Sequence, residues 1–358
     1  MGRHGAAEIL AVGMVTPVGA SAAQTAASVR AGIARLAESY VADRFGEPLV
    51  MGLVDLERLP ALVDQLEDRE ISMRQQRLAR LGAVALREAL ASTPHDPVPL
   101  LLGLPEPRGE ARHPIGSEMI EMLATQSGLA FDLSCSAAYP LGRAAGLVAL
   151  DDAMGLLDRG RAPAVLVGAV DSYLDLRLLA ALDGEGRLRR SGEPSDGFVA
   201  GEGAAFLLLA PARRGRGHGS APLARVAGVG RGHEAGHLYS SEPHRGDGLA
   251  AAVRAALDAG AGAEADPSAR VACIYAGLNG ESYWGKELGV AQIRCADRLL
   301  DPIRIEHPAD CCGDAGAALG PLMLGLAALD LARGRVDGPC LVWAGSDRGE
   351  RVAALLTG

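Results

Sequence analysis

Short apolar runs rich in Val, Leu and Ala alternate along the chain with Ala-rich stretches whose apolar positions recur at helical spacing. The runs at 8–15, 162–171, 204–210, 223–230, 271–278 and 340–345 predict strands. The stretches at 20–36, 72–92, 136–158, 248–259 and 318–333 predict helices. Strand and helix taking turns is the mark of an α/β protein, in which helices cover the faces of a sheet. The Arg- and Gly-rich segment 212–222 interrupts the alternation and is read as a linker between residues 1–211 and 223–358. Each side opens with a strand, a glycine-bearing loop and a helix, at "EILAVGMVTPVGASAAQTAASVRAG" and at "LARVAGVGRGHEAGHLYSSEPHRGDGLAAAVRAALDAG". Two halves of similar plan are therefore expected.

Composition narrows the picture. With 49% hydrophobic but only 3% aromatic residues, the core must be built from Ala, Leu, Val and Gly, which suits close packing of helix on sheet. A net charge of -9 offers no field that would draw the chain to phosphate polymers or anionic lipid, so neither nucleic acid nor membrane is an expected partner. The apolar stretch "LGPLMLGLAAL" is too short to span a bilayer and is followed at once by Asp330. The start, "MGRHGAAEILAVG", has no secretory pattern, and Ala6 stands where myristoylation needs Ser or Thr, so a cytoplasmic location is expected. Six scattered cysteines, at 135, 273, 295, 311, 312 and 340, then read as reduced thiols rather than a disulfide framework. Cys311 and Cys312 lack metal-site spacing and read as packing residues. Among His233, His237 and His244 only the first two have helical ligand spacing, and nearby glycines argue against a helix. No metal or cofactor is expected.

Chemistry concentrates in "FDLSCSAAYPLGRAAG", residues 131–146, where Cys135 is read at the end of a strand and the start of a helix. A side chain at such a junction faces the free N–H groups of the first helical turn, which favour a thiolate. The alternative is a small, inert, buried side chain, the commoner fate of cysteine. Pro140 lies beyond the first turn in which proline is harmless, so the helix is expected to start late or to be kinked.

Four segments resemble, in order, those of the β-ketoacyl synthases of the thiolase superfamily: "VGMVTPVGA", "LSCSAAYPLGRAAGLVALDDAMGLLDRGRAPAVLVGAVDSYLD", "SDGFVAGEGAAFLLLAPA" and "CCGDAGAALG". Residues from about 39 to 120 match poorly. The resemblance implies a five-layered αβαβα thiolase-like fold of two similar halves. It also implies a homodimer, or a heterodimer with a related subunit, with the strand at 128–134 buried in the interface. By the same likeness Cys135 would accept an acyl group from acyl carrier protein or acyl-coenzyme A, and its backbone N–H would hold the oxyanion.

The resemblance also marks departures. The family's condensation uses two histidines, or a histidine and an asparagine, as donors to the thioester oxygen, and losing one such donor costs about 10² to 10³ in rate. Gly277 and Cys312 fall at those positions, and a thiol is a poor donor. Asn279 is a candidate substitute donor, and His307, at the position of a family lysine, is either a relocated acid or base or a residue that holds its loop. Glu202 corresponds to a structural carboxylate and His237 to a loop histidine. Asp347 and Arg348 stand in the family's glycine-rich gate, where a carboxylate disfavours a neighbouring thiolate unless Arg348 neutralises it. The arginine-rich stretches 184–197 and 212–219 are either a patch for an acidic carrier protein or solvated loops. Two functions follow: acyl transfer through acyl-Cys135 with impaired or absent condensation, or a non-catalytic scaffold or partner subunit of the chain-length-factor or secretion-adaptor kind.

Overall fold

The computed structural model describes residues 4–91, 96–108, 115–190, 196–212, 221–261 and 270–358. The body of the expected linker and of the arginine-rich stretch 212–219 lies outside the described residues, as does part of 184–197. Before the linker the chain forms β1 (Ala7–Val15), α1 (Ala22–Arg30), the hairpin β2 (Ala37–Ala42) and β3 (Pro48–Met51), α2 (Asp64–Glu67), α3 (Met73–Ala89) and β4 (Leu100–Leu104). There follow α4 (Glu118–Ser127), β5 (Ala137–Pro140), α5 (Ala145–Asp158), β6 (Val165–Ser172), α6 (Leu176–Gly184) and β7 (Glu202–Pro211). After the linker come β8 (Ala224–His233), α7 (Asp247–Gly260), β9 (Val271–Ala276), α8 (Ser282–Arg294), β10 (Leu299–Glu306) and α9 (Ala309–Cys312). The chain closes with α10 (Leu319–Ala332), β11 (Cys340–Gly345) and β12 (Glu350–Thr357).

Ten strands form one sheet in the order β10-β9-β11-β12-β8-β1-β7-β6-β4-β5. Read outward from the β1/β8 join, the two arms repeat each other. The first two neighbouring pairs in each arm are antiparallel and the next two parallel. Both arms clasp the inner helices α5 and α10, whose Leu147, Leu150, Met323 and Leu326 share a core with Met14, Val167, Val342 and Val352. Helices α3 and α4 cover the outer face of one arm through Leu78, Leu86 and Leu123, and α7 and α8 cover the other through Leu249, Val253 and Leu288. Five layers result, as the resemblance implied.

Local chemistry supports this plan. Strands β6 and β11 are buried at every position, so they read as continuous apolar runs rather than alternating ones. Helix α3 starts on a capping box between Ser72 and Gln75 and buries one face. The inner helices meet where a Cβ at Gly146 would lie 2.3 Å from Pro321 Cγ, a distance only glycine permits. Among the described residues no helix is long and apolar enough to cross a membrane.

One expected element is corrected with consequences for the site. The predicted helix 136–158 begins as strand β5, bends through a 3-10 turn at Gly142–Ala144, and becomes α-helical only at Ala145. Ala137–Tyr139 pair with β4 instead of coiling, Pro140 closes the strand, and Gly142 turns the chain with φ of 58°. Segment 128–134, expected to be the interface strand, forms a single bridge from Phe131 to Val98 and then a turn, so the strand at the sheet edge is β5.

Candidate functional site

Cys135 lies before β5, not at a helix start. Asp132 accepts hydrogen bonds from Ser134 N at 3.0 Å and Ser134 Oγ at 2.6 Å, and this Asx-type turn carries Cys135 into the strand. Cys135 is half-buried, while Cys273, Cys295, Cys311, Cys312 and Cys340 are buried. It lines a cavity of about 520 Å³ with Leu101, Tyr139, Asp152, Arg159 and Arg161. The N–H groups expected to favour its thiolate belong to the far end of β5, about 13 Å of extended chain away.

The residue in the first turn after the strand is Arg143, which is 4% exposed. Its Nη1 donates to Asp314 Oδ2 at 3.0 Å and its Nη2 to Asp347 Oδ1 at 2.8 Å. Its guanidinium carbon lies 4.1 Å from the centre of the Trp284 ring, a cation–π contact in a dry setting. Asn279 Nδ2 donates to Asp314 at 2.8 Å and to Glu281 Oε2 at 3.0 Å. Arg187 forks onto Glu281 at 2.7 and 2.9 Å and also reaches Asp347. Arg108 donates to Asp347 at 2.8 Å and extends the network to Glu185 and Tyr239 at the surface. Arg108, Arg143 and Arg187 thus face Glu281, Asp314 and Asp347, so the buried charges balance and each side chain is hydrogen-bonded.

Electrostatics follows the geometry. Burial works to raise the Asp347 carboxyl, but Arg143, Arg187 and Arg108 outweigh it and hold the group well below the usual carboxylate range. Arg348, expected to neutralise Asp347, instead pairs with Glu106 at 3.1 Å. Burial, then the nearby Asp347 charge, pushes the Glu106 carboxyl up.

The other sequence-predicted positions divide. Asn279 joins the Arg143 network directly, and Cys312 stands beside it in sequence through Asp314, but neither bonds to Cys135. The Cys312 thiol is fully buried, points at Pro308 O at 3.1 Å, and is pushed far above its ordinary value by burial and the neighbouring Cys311. At Gly277 a Cβ would lie 3.0 Å from Trp343 O, so a larger side chain would have to displace that backbone. His307 pairs with Asp310 at 2.9 Å on the surface beside α9. Glu202 is a buried structural carboxylate, accepting from Arg77, Ser172 Oγ and Val54 N. His237 accepts from Tyr239 N within its loop.

Glu234, His244 and Glu287 are the one group among the described residues whose metal-type ligand atoms converge, within 4.8 Å. The two carboxylates are largely committed, while His244 Nε2 lies 3.6 Å from Glu287 Oε1 with no hydrogen-bond partner among the described residues. Glu287 is gripped by Arg351 Nε at 2.8 and 2.9 Å, and Glu234 accepts from Gly248 N at 2.8 Å. The trio is a buried ion network rather than an open coordination sphere.

Sequence reasoning missed Arg143, Arg187, Glu281 and Trp284. The signal for Arg143 was the Pro140-Leu-Gly142 punctuation, which ends a strand and starts the turn that leads into the helix.

Comparison with known proteins bears on the class. Residues 102–214 match the family model for the beta-ketoacyl synthase N-terminal domain. No curated protein sequence matches the chain. Among solved structures, the chain is similar to the ketosynthase ApeO in complex with its chain length factor ApeC from Xenorhabdus doucetiae, with a TM-score of 0.74 and 18% identity over 99% of this chain and 98% of that one. It is also similar to a type II acyl carrier protein–ketosynthase complex, AntDE:AntF, with a TM-score of 0.74 and 18% identity over 99% and 100% of the two chains. The oxazolomycin ketosynthase domain OzmH KS7 of Streptomyces albus JA3453 gives a TM-score of 0.79 and 16% identity over 98% of this chain and 74% of that one. The fold is that of the ketosynthases, the thiolase-like arrangement expected from the motifs. At that level of identity the likeness speaks for the fold; within it, residues 102–214 carry the family's own sequence pattern.

Proposed function

We propose that this chain is a non-condensing subunit of the ketosynthase family, which serves as a partner or scaffold in the manner of a chain length factor. The observation that supports this reading is Arg143. It occupies the strand-to-helix junction where the resemblance calls for a nucleophile, and it is locked between Asp314 and Asp347. A guanidinium stays protonated and cannot attack a thioester. The segments that the resemblance assigns to the condensation donors converge on this arginine, through Asn279 and Asp314, with Gly277 and Cys312 in place of histidines.

A second reading keeps one observation of its own. Cys135 is half-buried and lines a cavity, so it could accept an acyl group there. Among the described residues the one hydrogen-bond neighbour of its thiol is Ser134 Oγ at 3.8 Å, which supplies neither a base nor an oxyanion donor, and its backbone N–H already donates to Asp132 O at 3.3 Å. Incubation with acyl- and malonyl-thioesters of coenzyme A and of carrier protein, followed by intact mass and carbon dioxide release, separates the two. The partner-subunit reading expects no adduct and no decarboxylation above background. An adduct that disappears in Cys135→Ala would replace it with acyl transfer.

A further inference from the structure

The loop from Glu234 to Gly246 joins β8 to α7 and reaches across to side chains from the first part of the chain. At its tip the Tyr239 hydroxyl donates to Glu185 Oε2 at 2.8 Å and accepts from Arg187 Nη1 at 2.9 Å and from Arg108. Tyr239 thus holds the surface end of the network that contains Asp347 and Arg143. At the neck the Glu234 carboxylate accepts from Gly248 N at 2.8 Å and, at 3.4 Å, from Gly236 N and Arg245 N, so it ties both ends of the loop to α7. Tyr283 of α8 donates to Gly236 O at 2.9 Å.

The charges at this neck do not balance. Glu234, just past β8, and Glu287, on α8, are both buried carboxylates. Among the described residues the one guanidinium bonded to either is that of Arg351 on β12, whose Nε grips Glu287. Its Nη1 is spent on the carbonyls of Ser346, Arg348 and Glu350, and its Nη2 on the Tyr283 hydroxyl. At the start of α7, Asp247 and Arg294 satisfy each other at 2.6 Å. Within the loop and beside it, Arg245 and His233 are exposed, and His237 Nδ1 accepts from Tyr239 N. Burial pushes the Glu287 carboxyl up against the pull of Arg351, and the Glu234 charge adds to the push. One buried carboxylate is left without a cation, a costly arrangement.

His244 stands where the charge is missing. Its ring stacks on that of Tyr283, with centroids 4.1 Å apart and 19° between the planes. Its Nε2 is buried and unpartnered, 3.6 Å from Glu287 Oε1, and the ligand-type atoms of Glu234, His244 and Glu287 lie within 4.8 Å of one another. A proton on Nε2 supplies the second cation and sets an imidazolium over the Tyr283 ring. A shift of about 0.5 Å then completes a charge-assisted hydrogen bond to Glu287.

We propose that His244 is a proton switch for this loop. Protonated, it balances Glu234 and Glu287 and clamps the neck; neutral, it leaves a carboxylate uncompensated, and the Tyr239 tip loosens from Glu185, Arg187 and Arg108. Imidazole ordinarily holds its proton below about pH 6.5, so the clamp is made on that side and is lost as pH rises and the proton leaves. The loosened loop admits solvent to the Asp347 side of the ion network, whether or not the chain has chemistry of its own.

Hydrogen exchange of the full chain, followed by mass spectrometry at about pH 5.5 and about pH 8 and divided by the intrinsic rate at each pH, reads the switch directly. Protection of residues 234–246 is expected to fall about tenfold at the higher pH, while that of α5 stays constant. His244→Gln should show the lower protection at both pH values, and His237→Gln should keep the parent's change. Glu234→Gln, which removes the excess charge but keeps an acceptor oxygen, should shrink the change and so tests the charge balance without touching His244. Constant protection of the loop in the parent would overturn the proposal. So would an undiminished change in His244→Gln or in Glu234→Gln, or a change abolished by His237→Gln, which would move the proton to the other ring.

Discussion

The starts of the two inner helices repay comparison. Before each, the chain turns through a glycine with positive φ, Gly142 at 58° and Gly316 at 55°, and enters a 3-10 turn that leads into α5 or α10. The first junction presents Arg143 and the second Asp314, and the two side chains meet at 3.0 Å. Matching backbones therefore carry complementary charges. A place where a shared architecture could hold a reactive group has become an ion lock between the halves, closed on a third side by Asp347.

The sharpest way to break that comparison is to remove one side of the lock. Arg143→Met leaves Asp314 and Asp347 short of a buried cation and is expected to cost about 3–5 kcal/mol in urea unfolding. Combining it with Asp314→Asn should recover part of the loss; full additivity would mean that the two junctions do not act on each other. Crowding the contact between the inner helices tests their packing instead of their charge. Gly146→Val, with Pro321 already in the way, is expected to destabilise by about 1–3 kcal/mol, read as a lower unfolding midpoint with an unchanged slope.

A smaller effect comes from acid. The folded-state pKa of Asp347 lies below the unfolded value of about 3.9, so its stabilisation is fully present above about pH 4 and is lost as pH falls through the folded value. Between pH 4 and pH 3 the parent is expected to lose stability more steeply than Asp347→Asn; equal slopes would mean that the carboxylate is not held by its arginines. Smallest of all, Cys135→Ser should change stability by less than about 0.5 kcal/mol while abolishing the one fast maleimide reaction of the native chain.

These two junctions also show how far the sequence could be read. The predicted strands at 8–15, 204–210 and 340–345 appear as β1, β7 and β11; β7 and β11 are buried on both faces over most or all of their length, which leaves a continuous apolar run. The buried carboxylate Glu202 was likewise legible from its motif. Strand β10 was not, since an exposed, charged edge has little apolar pattern to read.

What the chain's own residues determined is the layered α/β plan and its ketosynthase likeness, because periodicity and glycine punctuation act within a few neighbours. What only the tertiary structure decided is which residue stands at the junction. The stretch Ser136–Ala-Ala-Tyr-Pro140 is equally at home in strand or helix by local preference, and pairing with β4 made it a strand. That pairing moved the helix start past Cys135 and left Arg143 in the 3-10 turn that leads into α5, where carboxylates distant in sequence neutralise its buried charge.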